Sequence, residues 1–345
     1  MKLMKTEDAV GQMLCHDITE IVPGVKKGPV FRKGHIITKE DVPVLLRVGK
    51  DHVYIWEVNE SMMHENDAAM VLYRISAGDQ DTITHSDDIK EGKIEAKAMI
   101  DGLLKIDRKR LYTVNSFGQM MIASIHGDFP VKKGDKIAGM RIIPLIIEKE
   151  KMEAVEEAVK GAPIFRILPF RKKKVGIVTT GNEVYAHRIE DKFTPVVIAK
   201  LQAFGAEIIG HEVCSDDSDM EVAAIQKLLD AGADFICCTG GMSVDPDDRT
   251  PAAIGFAADE VITYGAPVLP GAMFMLAYKN RDGKRIPIVG LPGCVMYAKR
   301  TVFDLVLPRL MADDPVTKAE MDALGEGGLC LGCNPCTFPN CGFGK

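Results

Sequence analysis

The sequence predicts an α/β protein: a mostly parallel sheet with helices on both faces in the C-terminal half, preceded by a β-rich, mixed α and β region. Three observations predict it. From Lys174 onward, short and wholly apolar runs alternate with helix-patterned segments, and strands apolar on both faces belong in a covered parallel sheet. Before Lys174, extended stretches are broken by Gly and Pro turns. The 345-residue length, with 46% apolar and 27% charged residues, suits two or three domains that each bury a core.

The elements follow in order. Pro23-Gly24, Lys27-Gly28 and Lys33-Gly34 punctuate the first segment, and HVYIWE (52–57) alternates like a strand. Ala96, Met99, Ile100, Leu103 and Leu104 fall at i, i+3, i+4, i+7 and i+8, one face of an amphipathic helix. LYTVNSFGQMMIASI and VKKGDKIAGMRIIPLII read as strands around Gly and Asp turns. EKEKMEAVEEAVKG reads as a helix with Met152, Val155 and Val159 on one face and Gly161 as its stop. The stretch 162–174, with two prolines and the basic run 171–174, reads as a linker with a solvated charge cluster.

Beyond it, VGIVTT is a strand ended by Gly181, and a helix runs from Thr194-Pro195 to Gly205. AEIIGHEVC is the next strand, and SDDSDMEVAAIQKLLDAGA a helix with Asp and Ser caps and Val222, Ile225 and Leu229 on one face. ADFICC and PIVGL are further strands, and CVMYAKRTVFDLVLPRLM a long final helix. The chain thus divides into a small β-rich segment (1–60), a mixed accessory region and linker (61–170), an α/β domain (171–313), and a Gly linker with a Cys-rich tail (314–345).

Charge and hydropathy narrow the function. Lys and Arg number 43 against 49 Asp and Glu, a formal net charge of −6, which disfavours a nucleic-acid binder needing a broad basic field. No apolar run approaches the roughly 20 residues of a membrane span. The opening MKLMKTEDAV has no signal-peptide core, so the cytoplasm is the expected compartment.

In open parallel sheets, ligands lie beyond the carboxyl ends of the strands. Strands here end in the glycine loops TTGNE (179–183), TGGMS (239–243) and GLPG (290–293). Glycine lets backbone N–H groups approach an anion, and helix N-termini favour one, so the implied ligand carries a phosphate or similar compact anion. None is a Walker A loop or a GxGxxG fingerprint. Asp245, Asp247 and Asp248 follow the second loop; they suit Mg²⁺ bridging carboxylates to a phosphate, or equally the capping of the helix at Thr250.

At these residues the sequence resembles the molybdopterin-binding domain family, which includes molybdopterin adenylyltransferases and molybdotransferases and the gephyrin-like proteins. In GGMSVDPDDRTPAA the family's paired glycines and Asp-x-Thr fall on Gly240, Gly241, Asp248 and Thr250. TTGNEV resembles the TGDE loop, placing its acid on Glu183; CSDDSD resembles the Asp-Asp after the second strand, at Asp216 and Asp217; GLPGCVMYA resembles the LPGNP turn, at Leu291, Pro292 and Gly293. The resemblance implies a cofactor site of Thr180, Gly181, Asn182, Glu183, Thr239, Gly240, Gly241, Met242, Ser243, Asp248, Thr250, Leu291, Pro292 and Gly293. It implies molybdopterin, or its adenylate, as ligand and molybdate or tungstate as co-substrate. Catalysis is then expected of Asp248, Glu183, Asp216 and Asp217, holding Mg²⁺ or positioning molybdate while the adenylyl bond is hydrolysed. A homo-oligomer, and contacts with other cofactor-biosynthesis proteins or a molybdoenzyme, are implied as well.

The sequence also departs from the family. VLPGAMF (268–274) stands where the family has KPGKP and carries neither lysine, and Cys294 replaces the asparagine of LPGNP. AVGQMLCHDI and FRKGHII are faintly similar to the start of the molybdotransferase, but its Met-Asp-Gly segment is absent. Two lysines fewer means less attraction for phosphate or molybdate.

Four of nine cysteines, Cys330, Cys333, Cys336 and Cys341, sit in the last sixteen residues with C-x2-C-x2-C-x4-C spacing. Thiolates so close in sequence suit an Fe–S cluster or tetrahedral Zn²⁺, with free or redox thiols as the alternative. Cys237 and Cys238 lie in a buried-strand pattern and read as core. Three functional readings follow: a divergent molybdotransferase, a non-catalytic pterin carrier or redox/metal sensor, and the same fold acting on a nucleotide pyrophosphate.

Overall fold

A computed structural model describes residues 1–345 apart from 23, 25, 56–59, 87, 88, 90 and 247. Pro23, the Trp56-Glu57 end of HVYIWE, and Asp247 therefore lie outside the described residues. The chain forms two compact units. One comprises Met1–Met99, Ile106–Ile125 and Lys133–Arg166; the other comprises Ile100–Lys105, His126–Lys132 and Ile167–Lys345. No helix among the described residues is long and apolar enough to cross a membrane.

The first unit is β-rich with helices, as expected. Lys2–Lys5 pairs antiparallel with His52–Ile55, and Ile18–Val22 with Lys26–Phe31, so Gly28 lies in a strand rather than a turn. A four-stranded sheet runs Ile83–His85, Ile94–Ala98, Lys136–Ile142, Met120–Ser124. The helix expected across residues 96–104 is absent. Ile94, Ala96 and Ala98 are buried on alternate positions of a strand, a bend occupies 99–101, and Gly102–Ile106 is a second strand. The helical spacing arose from two strands read as one segment. The reverse occurs in the helix Arg108–Ser116, whose residues 111–116 were expected as strand: the Asp107 carboxylate accepts the Arg110 N–H at 2.9 Å as an N-cap. Lys149–Ala158 is the expected helix, with Met152 and Val155 buried. Residues 162–174 are not an open linker: Phe165–Pro169 is a strand with Phe165 and Ile167 buried, and Lys173 is buried and ion-paired with Asp313.

The second unit is built on a six-stranded sheet. Its strands are β1 (Lys174–Thr180), β2 (Glu207–Cys214), β3 (Phe235–Thr239), β4 (Glu260–Tyr264), β5 (Met275–Arg281) and β6 (Lys284–Leu291). The spatial order is β2-β1-β3-β6-β5-β4; β1, β2, β3 and β6 are mutually parallel, and β5 runs against both its neighbours. The helices are α1 (Thr194–Gln202), α2 (Ser218–Asp230), α3 (Thr250–Ala257) and α4 (Val302–Met311). Alternation along β3 sends Phe235 and Cys237 into the core shared with α1 and α4, and Ile236 and Cys238 into the core shared with α2 and α3. This is why adjacent cysteines are both buried on opposite faces. Each fully buried Leu or Ile of these cores contributes about 2 kcal/mol.

The long final helix expected from Cys294 is broken. A 3-10 turn, Gly293–Met296, is followed by α4, which starts afresh on a Thr301/Asp304 capping box. A further short helix, Lys318–Ala323, opens on a second capping box from Thr317 and Glu320.

Candidate functional site

The four parallel strands end level. Their pairing sets Thr180 opposite Cys214, Thr179 opposite Thr239, and Thr239 opposite Leu291. After β1 the chain goes outward to β2, and it returns to place β3 on the other side of β1. The crevice between the β1 and β3 loops is therefore a topological switch point, where open sheets bind ligands.

An open cleft of about 1000 Å³ occupies this position. Of the expected residues, Thr180, Gly181, Asn182 and Glu183 line it from the first loop, Asp216 from the second, and Thr239, Gly240, Gly241 and Asp248 from the third. Met242 is buried in the core, Ser243 is exposed, and Thr250 is buried behind Gly241. Leu291 and Pro292 are buried; Gly293 does not line the cleft, and this last loop reaches it through Met296 instead.

Gly240 and Gly241 have φ of +85° and +56°. A Cβ at Gly240 would lie 2.2 Å from the Thr180 carbonyl oxygen, and one at Gly241 would lie 2.5 Å from the Thr250 hydroxyl. The pair of glycines is thus required twice, by backbone conformation and by the floor beneath it. Thr180 Oγ1 donates to the Thr239 carbonyl at 3.3 Å and lies 3.1 Å from Thr250 Oγ1.

The acidic residues are spent on holding loops. Asp216 accepts the Asn182 N–H at 3.0 Å, clasping the first two loops together. Asp217 caps α2 by accepting the Met220 N–H at 2.9 Å, and Asp248 accepts the Ser243 N–H at 2.8 Å. Asp191, which the sequence reading missed, lines the cleft and accepts the Phe193 and Thr194 N–H groups at 2.9 and 3.0 Å. Burial alone would raise its carboxyl, but the hydrogen bonds from Thr194 and Phe193 more than offset that and hold it below the usual range. The signal was legible: Asp191 stands three residues before Thr194-Pro195, a turn residue ahead of a helix start.

The cleft is electronegative. Among the described residues lining it, Glu183, Glu190, Asp191, Asp216, Asp245 and Asp248 oppose one basic side chain, Lys192. Among the described residues no three His, Cys, Asp or Glu side chains converge as metal ligands. Asp191, Asp217 and Asp248 are each engaged with a backbone N–H of their own loop, and Asp216 with one of the neighbouring loop.

The same holds for the tail, where the expected four-thiolate centre is not assembled among the described residues. Leu329 bridges to Leu269, with Leu269 N–H donating to Gly328 O and Cys330 N–H to Leu269 O, both at 2.8 Å. Phe338 and Phe343 pack with Phe129, and the Arg300 guanidinium lies 4.7 Å from the Phe338 ring centroid. Cys330 and Cys341 pack against this core while Cys333 and Cys336 are exposed. Apolar contacts dock the tail on the core of the second unit, and the four thiols lie in different environments. Cys294 is half-buried, and burial pushes its thiol up, away from reactivity at neutral pH.

Comparison with known proteins resolves which family these loops belong to. Residues 176–312 match the model of a family described as "Probable molybdopterin binding domain". Residues 176–312 are a domain of that family. Residues 3–57 match a domain of unknown function. A CinA-like protein of Desulfosudis oleivorans is 38% identical over 82 residues, 24% of this chain and 20% of the relative. One from Mycobacterium sp. (strain MCS) is 34% identical over 91 residues, 26% and 21% respectively. The chain thus spans about a fifth of the length of these curated relatives. Among solved structures, the tungsten cofactor synthesizing protein MoaB from Pyrococcus furiosus aligns at a TM-score of 0.32 and 20% identity, covering 36% of this chain and 84% of that one. The molybdopterin biosynthesis enzyme MoaB from Thermus thermophilus aligns at 0.35 and 21%, covering 40% and 91%. The molybdopterin-binding domain so identified contains every loop that lines the cleft.

Proposed function

We propose that this chain binds molybdopterin, free or as its adenylate, in the cleft at the β1–β3 switch point, and that it serves molybdenum-cofactor biosynthesis as a divergent molybdotransferase. The observation that carries this reading is the glycine pair Gly240-Gly241, seated on the Thr180–Thr250 hydroxyl floor inside a domain of molybdopterin-binding type. Two adjacent left-handed glycines present backbone to the cleft with no Cβ in the way, the form in which a loop receives a phosphate. Asn182 and Glu183 face them from the first loop and would orient the rest of the ligand. Asp248 would position molybdate against the dithiolene from its clasp on Ser243.

The charge of the cleft sets a condition on this binding. A phosphate entering beside six carboxylates and one lysine is opposed by the local field, so its uptake depends on a divalent cation that accompanies the ligand.

The decisive variant is Asp248→Asn. The amide keeps an oxygen for the Ser243 N–H and removes the charge, so the loop stays closed while molybdate insertion falls at least about 100-fold in an anaerobic cofactor-reconstitution assay. Full activity of Asp248→Asn would remove the catalytic part of the reading. The carrier reading is favoured by one observation, that VLPGAMF supplies no lysine and is instead bridged to the Cys-rich tail at Leu269. It predicts tight pterin binding with no turnover and an affinity that changes when Cys330 and Cys333 become Ser.

A further inference from the structure

We infer that the second unit carries a further ligand site, at the edge of the sheet opposite the cleft, for a small organic anion: a compact phosphate or carboxylate head on a flat apolar body. β1, β3 and β6 are parallel, so their amino ends share one edge, and a cavity of about 330 Å³ opens there. That volume lies within the ~300–1,000 Å³ of small-molecule sites. Its apolar lining comes from Tyr278 of β5, Ile286 and Pro287 of β6, Leu310 of α4, and Pro315. Its charged lining sets Arg171, Lys173, Lys284 and Arg285 against Asp234, Asp313 and Asp314. In a chain of net charge −6, cations outnumber acids here, the reverse of the cleft.

The acids of the cavity are already answered. Asp234 accepts the Lys174 N–H at 2.8 Å, and Asp314 is held from outside the lining by Arg309 at 2.5 Å and Lys105 at 2.8 Å. The Lys173 side chain is only 7% exposed, and an ammonium so buried needs an anion beside it. Asp313 supplies that anion, ion-paired to Lys173 and with Arg171 Nε at 3.7 Å. Yet the Asp313 side chain is 56% exposed and stands at φ +54°, in the left-handed region, just beyond α4. A carboxylate reaching in from the solvent side thus occupies the point where two cations converge, and the head of the ligand takes that point in its place. Lys284 adds a third cation; it is exposed, and its side chain has no hydrogen bond or ion pair among the described residues. The wall for the apolar body is fixed beforehand. Tyr278 is buried and its hydroxyl accepts the Val316 N–H at 3.0 Å, while the Arg285 guanidinium lies 4.1 Å from its ring centroid and donates to Glu260 at 2.5 Å. A flat cation held on a fixed ring, with Pro287 opposite Tyr278 in the sheet, receives a flat body at little cost in ordering.

The test titrates the full chain with phenyl phosphate, benzoate and inorganic phosphate at constant ionic strength, with divalent cations chelated, and follows backbone amide NMR signals. Saturable shifts are expected at Arg171, Lys284, Ile286 and Asp313 with at least one aromatic anion, and the stronger of the two assigns the head as phosphate or carboxylate. The aromatic anion that binds should do so at least about tenfold more tightly than inorganic phosphate, because the apolar lining takes its ring. Lys284→Gln should weaken that binding about fivefold. Asp313→Asn should strengthen it about fivefold: the amide oxygen still accepts from Lys173 and Asn tolerates the left-handed backbone, but the competing charge is gone. Lys284→Gln, at an exposed position, decides the matter if Asp313→Asn does not fold. No saturable shift up to about 20 mM of either aromatic anion, inorganic phosphate binding as tightly as both, shifts confined to the cleft loops, or an affinity unchanged by Lys284→Gln overturns the inference. None of these outcomes depends on what the cleft binds.

Discussion

Glu221, on the buried stripe of α2, makes a prediction about stability that its burial quantifies. In the unfolded chain its carboxyl has the usual value of 4.5, and in the folded chain it is raised to about 7. Between those values the folded state holds the proton that the unfolded state has lost. Stability from this group is complete below about pH 4.5 and is lost as pH rises through about 7. Holding the proton from pH 4.5 to about 7, at about 1.4 kcal/mol per pH unit, is worth about 3 kcal/mol. Glu221→Gln keeps the shape and cannot ionise. Its stability relative to wild type should therefore rise by about 3 kcal/mol between pH 4.5 and 8, most of it below pH 7. Urea unfolding at a series of pH values, followed by circular dichroism, reads the difference, and groups such as Asp191 titrate in both proteins and cancel. Parallel profiles for the two proteins would refute the argument.

The other predictions concern the loops and the tail. Gly240→Ala places a Cβ 2.2 Å from the Thr180 carbonyl at φ +85°, and should cost about 2–4 kcal/mol in unfolding experiments while abolishing ligand uptake. Phosphate-ligand binding measured by calorimetry should weaken at least about tenfold when divalent cations are chelated, because the cleft is strongly acidic. Unchanged affinity would show that backbone donors suffice. Cys336 is exposed and its thiol is lowered by the Phe338 backbone N–H and by Arg300, whereas burial raises Cys237 and Cys238. Peptide mapping after brief alkylation near neutral pH should find Cys336 modified well before those two, and more slowly in Arg300→Ala.

Much of the second unit was legible in the sequence, because parallel strands buried on both faces leave continuous apolar runs such as VGIVTT and ADFICC. The strands β4 and β5 were not, since β5 mixes Met275–Tyr278 with the polar Lys279–Arg281 and pairs antiparallel near the edge of the sheet. Periodicity failed across the join between the units for a physical reason: residues 96–104 satisfy a helical spacing only if the bend at 99–101 is ignored. At the site, the glycines and acids singled out in the sequence lie on the loops around the cleft. The sequence could not reveal that Asp216 and Asp248 are engaged with backbone N–H groups, nor that the tail docks through Phe338 and Phe343. Glu221 lay within a plausible amphipathic helix, and only the packing shows that it belongs to the buried stripe.

The central claim is that the Gly240-Gly241 loop and its hydroxyl floor receive the phosphate of molybdopterin. Anaerobic titration of the full chain with molybdopterin, followed by gel filtration and oxidation of any retained pterin to its fluorescent form, tests it most directly. The account predicts one pterin retained per chain by wild type and by Asp248→Asn, and none by folded Gly240→Ala. Equal retention by wild type and Gly240→Ala, or no retention by wild type with divalent cation present, would contradict it.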